Sequence, residues 1–242
     1  MIALQLYTVR DALSANFEGT IRQIAAYGYP AVETAGVYGE SPAKAKALFD
    51  ELGLKVTSAH SPLPLGDNQQ KVLDTIGALG AKTIVFPWIA AENFEALDRI
   101  QRLADQLNAA DAVAREHGLS LAYHNHDFEL RRLPDGSLPL LRLKELVAPT
   151  VLFEVDTYWV QTGGANVIEV LQALGPQAAQ LMHVKDGPCV VGQPMTAVGD
   201  GVMNFREIFA AFPAEYHIVE ADRVDGDPLA AVDKSFRYLS NL

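Results

Sequence analysis

Short apolar segments alternate along the chain with longer stretches in which apolar residues recur every three or four positions. Eight short segments read as strands: "IALQLY" (2–7), "AVETA" (31–35), "KVTSAH" (55–60), "TIVFPW" (83–88), "LSLAYHNH" (119–126), "VLFEVD" (151–156), "QLMHVKD" (180–186) and "YHIVEAD" (216–222). Between them, "NFEGTIRQIAAYGY" (16–29) and "NFEALDRIQRLADQLNAADAVAREHG" (93–118) have the three- and four-residue spacing of amphipathic helices, and "NFREIFAAF" (204–212) adds another with Asn204 as its N-cap. In "AAYGYPAVE", "ELGLKV", "ALGAKTIV" and "REHGLSLAY" a helix ends on glycine and passes straight into the next strand, which fits a left-handed C-cap followed by a short helix-to-strand link. Eight such units in 242 residues predict an α/β fold, a (β/α)8 or TIM barrel, as a single domain over residues 1–242. The rival, a doubly wound sheet, ordinarily carries a glycine-rich turn after its first strand, and "QLYTVR" has none.

In a barrel of this kind functional side chains gather at the C-terminal ends of the strands. Strand 1 ends in Gln5 and Tyr7, strand 3 in His60 and strand 4 in Trp88. Strands 5 to 8 end in His124-x-His126, Glu154-x-Asp156, His183-x-Lys185 and Glu220-x-Asp222. Residues two apart on a strand share a face, so each pair points the same way. The opposite ends of these strands, "SLA", "VLF", "QLM" and "HIV", are plain. A single ionisable residue closing a strand is ordinarily a solvated loop start. Carboxylates and histidines brought to one rim, however, repel and lose hydration unless a cation compensates. Imidazole combined with carboxylate suits Mn²⁺, Zn²⁺, Fe²⁺ or Co²⁺ better than Ca²⁺.

Composition narrows the partners. The chain is 49% apolar and 20% charged, which supplies a core, and its net charge of −11 argues against nucleic acid, whose phosphates need a concentrated basic surface. One cysteine, Cys189, excludes an internal disulfide and suits a reducing compartment. The first residues lack the basic start of a signal peptide, and no apolar run has the length of a membrane span. The expectation is a cytoplasmic protein acting on a small molecule, with no membrane partner.

The segments "QLYTVR", "YHNHDFE", "FEVDTYWV", "HVKD", "GDGVMNF" and "IVEAD" occur in that order along the strands. They resemble the sugar phosphate isomerase/epimerase family of xylose isomerase-like TIM barrels, over essentially the whole chain. The resemblance implies one divalent metal ion held by four side chains from strands 5 to 8, usually Glu, Asp, His and Glu. By position these are Asp156, His183 and Glu220, with His124 where the family usually has Glu; the alternative exchanges the roles of His124 and His126. Mn²⁺ is the first choice, with Zn²⁺, Co²⁺, Fe²⁺ or Mg²⁺ as alternatives.

The implied activity is isomerisation or epimerisation of a sugar or keto-sugar, by proton abstraction next to a metal-bound carbonyl or hydroxyl through an enediolate. A lyase or dehydratase acting on a keto-sugar or keto-inositol, resembling inosose dehydratase, is the alternative. Histidine in the Glu position removes a negative charge and weakens any mechanism in which two metal-bound glutamates shuttle a proton. In this frame Glu220 is the first candidate base, with purely structural ligation as its other reading. Lys185 stabilises an enediolate or holds a substrate anion, its plainer role being a salt bridge to Asp222 or Asp156. His126 relays protons, as does His60 unless it merely bonds a loop carbonyl. Glu154, one layer deeper than Asp156, orients His183 or His124.

Gln5, Tyr7 and Arg10 face substrate by resemblance to the family's opening motif. Trp88 forms an apolar wall, while Trp159 belongs to the core. The Pro-Asp-Gly turn in "DFELRRLPDGSLPL" (127–140) predicts a small hairpin over the rim, and "GPCVVGQPMTAVGDGVMNF" (187–205) reads as a lid or substrate loop. Gly199 and Gly201 resemble the family's Gly-x-Gly, by itself a weak sign of phosphate binding. Analogy with relatives also admits a homo-oligomer.

Overall fold

The computed structural model describes residues 1–242. Eight parallel strands close into a barrel in sequence order: β1 (Ile2–Gln5), β2 (Ala31–Thr34), β3 (Lys55–His60), β4 (Thr83–Phe86), β5 (Ser120–His124), β6 (Leu152–Asp156), β7 (Leu181–Val184) and β8 (Tyr216–Val219). All eight lie within the segments predicted from the apolar pattern. Ten helices accompany them: α1 (Arg10–Ala15), α2 (Phe17–Tyr27), α3 (Pro42–Glu51), α4 (Gln69–Leu79), α5 (Leu97–Glu116), α6 (Pro139–Leu146), α7 (Thr157–Thr162), α8 (Val167–Leu174), α9 (Phe205–Ala211) and α10 (Pro228–Ser240). None is long and apolar enough to cross a membrane.

Local chemistry explains the boundaries. Asn16, Ser41, Asn166 and Asn204 each accept a backbone N–H in the first turn of the helix they precede. Gly28 ends α2 with φ of 104°, a conformation costly for any residue with a Cβ, and a Cβ there would stand 2.6 Å from the Phe236 ring. The predicted helix over 93–118 begins later than its periodicity suggests, because Ala91–Phe94 form a 3-10 turn before α5.

The packing has two compartments. Between strands and helices lies one large apolar cluster containing Leu4, Val32, Ile84, Tyr123, Phe153 and Val184. Inside the barrel lies a much smaller one of Ala3, Ala31, Val85, Ala122, Leu181 and Ile218. Two residues further along the same strands, on the same interior face, stand Gln5, Glu33, His124, His183 and Glu220. One pleat beyond Glu154 in β6 comes Asp156, and one pleat beyond His183 comes Lys185. The barrel is thus plugged by small apolar side chains at its base and by ionisable ones above them.

Two loop expectations are corrected. Residues 127–140 form no hairpin: Phe128–Leu130 make a 3-10 turn, the Leu133 N–H donates to the Ser137 carbonyl at 2.9 Å, and α6 starts at once. Pro139 at the first helical position favours helix over a returning strand. The 187–205 loop does not line the pocket described below. It is laced down by the buried Asp186 carboxylate, which accepts the N–H groups of Gly187, Gly199, Gly201 and Met203 at 2.9–3.1 Å. The amides of Gly199 and Gly201 therefore bind an internal carboxylate, and the Gly-x-Gly carries no sign of a phosphate cradle.

Two stability predictions arise here. A Cβ on Gly201 would meet Asp186 Oδ1 at 2.1 Å and the Gly187 nitrogen at 2.2 Å, so Gly201→Ala should lower unfolding free energy by about 2 kcal/mol in urea titration. His217, half-buried against Phe209 with ring centroids 4.0 Å apart, has its pKa lowered by burial to about 4. Its stabilising contribution is full above the unfolded value near 6.5 and lost as pH falls from there through 4. After allowance for solvent screening, His217→Gln should remove about 1–2 kcal/mol of that acid sensitivity, read from urea midpoints at pH 7 and pH 4.

Candidate active site

The C-terminal mouth of the barrel opens into a pocket of about 780 Å³ lined by Tyr7, His60, Trp88, His124, His126, Lys185, Glu220 and Asp222, among others. Trp88 stands 57% exposed and Tyr7 40% exposed, giving the mouth two free aromatic faces. Arg10 stacks on the Tyr7 ring at 4.1 Å while its guanidinium donates to the Tyr7 and Asp222 carbonyls, so it braces the wall from behind. Gln5 also stands behind the wall. It is fully buried, and its amide group accepts the Tyr7 N–H and donates to Glu33.

At the pocket floor, His124, Asp156, His183 and Glu220 bring ligand-type atoms within 4.8 Å of one another, all buried. Each is placed by its strand end. Asp156 closes β6 and caps α7: its Oδ1 accepts the Trp159 N–H at 2.9 Å. Its Oδ2 has no hydrogen-bond partner although fully buried, and lies 3.8 Å from His124 Nε2 and 3.1 Å from Lys185 Nζ. Asn125 clamps β5 to β6 by accepting the Asp156 N–H at 3.0 Å. His183 Nδ1 lies 2.8 Å from Glu220 Oε2, which is also 2.7 Å from Lys185 Nζ. Two imidazoles and two carboxylates, with the Asp156 Oδ2 oxygen engaged only by the Lys185 ammonium, fit a divalent transition-metal ion.

His126, one pleat beyond His124, lies past the end of β5 at the rim. Its ring stacks on Phe128 and meets His124 edge-on at 5.1 Å. Trp159 packs at the edge of the outer core, yet its ring also approaches His126 at 6.2 Å and the Lys185 ammonium at 5.8 Å.

Under this floor lies a layer that includes a residue the strand-end pattern passed over. Glu33, fully buried on β2, places Oε2 2.7 Å from His183 Nε2, 3.2 Å from His60 Nε2 and 2.6 Å from Gln5 Nε2. Glu154 places its Oε2 2.8 Å from His60 Nε2, 3.0 Å from His124 Nδ1 and 3.1 Å from His183 Nε2. An acidic residue inside the otherwise apolar "AVETA" was the available signal for Glu33. His60 therefore bonds carboxylates rather than a loop carbonyl.

The charges follow from this crowding. Burial raises Asp156 to about 6 and pushes Glu154 up, with Glu33 adding to the effect on Glu154. Burial works against the charge on His183, but Glu154, Glu220 and Glu33 outweigh it and raise its pKa well above the ordinary value. Lys185 is likewise raised, because Asp156, Asp222 and Glu220 overcome its desolvation. Glu220 is lowered: burial opposes its charge, but Lys185 and His183 prevail. Burial lowers His126 to about 4, which leaves a neutral imidazole at the rim at pH 7.

Comparison with known proteins agrees with this architecture. The family model described as xylose isomerase-like TIM barrel matches residues 21–242. A sugar phosphate isomerase/epimerase from Parabacteroides distasonis ATCC 8503 superposes with a TM-score of 0.80 at 23% identity, over 98% of this chain and 92% of that one. The probable 3-DHS dehydratase AsbF of Bacillus anthracis gives 0.78 at 14% identity, over 99% and 98%. The IOLI protein, with a binding zinc atom, gives 0.71 at 14% identity, over 99% and 96%. No protein of curated function matches the sequence.

Calorimetric titration of Mn²⁺ or Zn²⁺ into chelator-stripped protein should give one site per chain. Asp156→Asn should weaken that site at least about 100-fold, since it replaces an anionic ligand by a neutral amide.

Proposed function

Because the chain belongs to the xylose isomerase-like TIM barrel family, we propose that it is a divalent-metal-dependent isomerase or epimerase of a sugar or keto-sugar, working through an enediolate. The observation that carries this reading is the convergence of His124, Asp156, His183 and Glu220 beneath a pocket with free aromatic walls. These four residues would hold the ion, with Mn²⁺ first and Zn²⁺, Co²⁺, Fe²⁺ or Mg²⁺ as alternatives. When bound, such an ion supplies Lewis-acid polarisation of a substrate carbonyl or hydroxyl oxygen, which acidifies the neighbouring C–H.

Glu220 lines the pocket and is held ionised by Lys185 and His183, so its carboxylate is the base for that proton. Lys185 presents an ammonium to the same pocket and stabilises the negative oxygen that develops as the proton leaves. His126 lines the pocket from the rim beyond β5 and, being neutral, can relay a proton by accepting one from a substrate hydroxyl at a bare ring nitrogen, while protonated Glu220 returns its proton to carbon. Trp88 and Tyr7 offer flat apolar faces to the C–H side of a sugar ring. Glu154 accepts from His124 Nδ1 and thereby orients that ring toward Asp156. The residues act within one chain; a homo-oligomer remains compatible with this arrangement.

A second reading, a metal-dependent lyase or dehydratase of a keto-sugar or keto-inositol, shares the proton abstraction. It is favoured by the imidazoles of His124 and His126 at the end of β5, where the family usually supplies a glutamate. An imidazole N–H there can hydrogen-bond a departing hydroxyl oxygen. The structurally similar AsbF is a probable dehydratase, the reaction class of this second reading.

Incubation of metal-loaded protein with a panel of keto-sugars and keto-inositols in deuterated water tests both readings. An isomer of equal heavy-atom composition carrying solvent deuterium supports the first, and loss of water supports the second. Glu220→Gln should lower either rate by about 10³-fold. Lys185→Met should lower it by about 10²-fold while binding Mn²⁺ no more weakly than wild type, because it removes a positive charge 2.7 Å from Glu220 and 3.1 Å from Asp156.

A further inference from the structure

The polar layer beneath the floor also contains a convergent group, His60, His124, Glu154 and His183. Its geometry is that of hydrogen bonds. The three imidazole nitrogens stand 2.8, 3.0 and 3.1 Å from Glu154 Oε2, each at the distance of a hydrogen bond. The layer therefore holds protons between carboxylates and imidazoles, and the identity of the nitrogen that carries each proton decides which nitrogen faces the pocket.

His183 has two dissimilar sides. Nδ1 faces Glu220 at 2.8 Å, and Nε2 faces Glu33 at 2.7 Å. A metal-binding imidazole must offer a bare nitrogen, so its other nitrogen carries the hydrogen. We infer that Glu33 is a positioning residue of the metal centre, its carboxylate holding the Nε2–H of His183 so that Nδ1, on the side of Glu220 and the pocket, is the nitrogen that gives up its hydrogen to an ion. The inference rests on the metal-centre reading above and adds to it a residue from a strand that contributes no ligand.

Glu33 is built for this task. It reaches from β2 to β7, strands that are not neighbours in the barrel. Its Oε2 also accepts from Gln5 on β1, and its Oε1 accepts from the Ser58 hydroxyl on β3, so both oxygens are fixed from adjacent strands. The side chain is fully buried, which leaves no water to take the hydrogen in its place. Glu154 serves His124 through Nδ1, and Glu33 serves His183 through Nε2. Glu154 Oε2 also stands 3.1 Å from His183 Nε2, so Glu33 supplies the shorter of the two carboxylate contacts there.

The test compares wild type, Glu33→Gln, Glu33→Asp and Ser58→Ala. Zn²⁺ affinity is measured by competition calorimetry, and the His183 tautomer by long-range ¹H–¹⁵N NMR with and without Zn²⁺. Glu33→Gln should weaken Zn²⁺ binding about 10- to 100-fold and shift His183 away from the Nε2–H form. Glu33→Asp, which keeps the charge but shortens the reach, should give an intermediate loss and supports the proposal if Glu33→Gln does not fold. Ser58→Ala should lower thermal stability while leaving Zn²⁺ affinity within about twofold, as expected when only the distal oxygen of Glu33 loses a partner.

Unchanged Zn²⁺ affinity and an unchanged tautomer in the Glu33 variants overturn the proposal. If wild type binds no ion, the metal-centre reading fails, and the Zn²⁺-free spectra still decide this one: an Nε2–H signal of His183 that is the same in Glu33→Gln as in wild type overturns it.

Discussion

Four carboxylates, Glu33, Glu154, Asp156 and Glu220, are buried inside one barrel, and Lys185 is the one permanently charged cation buried among them. Placing that much negative charge in a low-dielectric interior costs several kcal/mol per group unless protons, hydrogen-bond donors or a metal ion offset it. The three buried imidazoles, the Lys185 ammonium and the α7 N-terminus on Asp156 all serve that end. Asp156 Oδ2 makes no hydrogen bond of good geometry and is met only by the Lys185 ammonium at 3.1 Å.

The barrel makes such crowding feasible because its interior is layered. Small apolar side chains close the base, and the next pleat of every contributing strand brings a polar group to the same level. Parallel pairing sets neighbours side by side, with His124 opposite Glu154 and Asp156 opposite His183. The polar residues are therefore held by the sheet itself rather than by loops, and the loops that might have covered the mouth are fastened elsewhere, the longest of them around Asp186. The arrangement of the site and the rigidity of the barrel rest on the same backbone hydrogen bonds.

Within the site, roles divide by depth. Glu33 and Glu154 lie behind the histidines and govern the direction of their protons; Asp156 and Glu220 lie before them, and Glu220 and Lys185 reach the pocket wall. Histidine at the end of β5 changes the balance relative to a glutamate there. It lowers the charge of the floor and, with His126 beside it, gives that end of the pocket proton chemistry by imidazole instead of carboxylate. This asymmetry suits a proton taken from carbon by a carboxylate and a hydroxyl proton accepted by a neutral ring.

Much of this was legible in the chain. Strand periodicity marked all eight strands, and the i, i+2 pairs at the ends of strands 5 to 8 named the four residues that meet under the floor, because a strand's period of two makes facing side chains a local property. Glu33 lay outside that pattern: a lone acid in an apolar strand looks the same whether it meets solvent or three buried partners. Gln5 and Arg10 were expected to face substrate, yet one bonds Glu33 and the other backbone carbonyls, contacts that join positions 28 and more than 200 residues apart. Sequence alone determined the alternation, the barrel and which residues stand at its mouth, since these follow from local period and capping. Only closure of β8 onto β1 decided depth, partnership and proton direction, because those depend on distances across the barrel that no local pattern encodes.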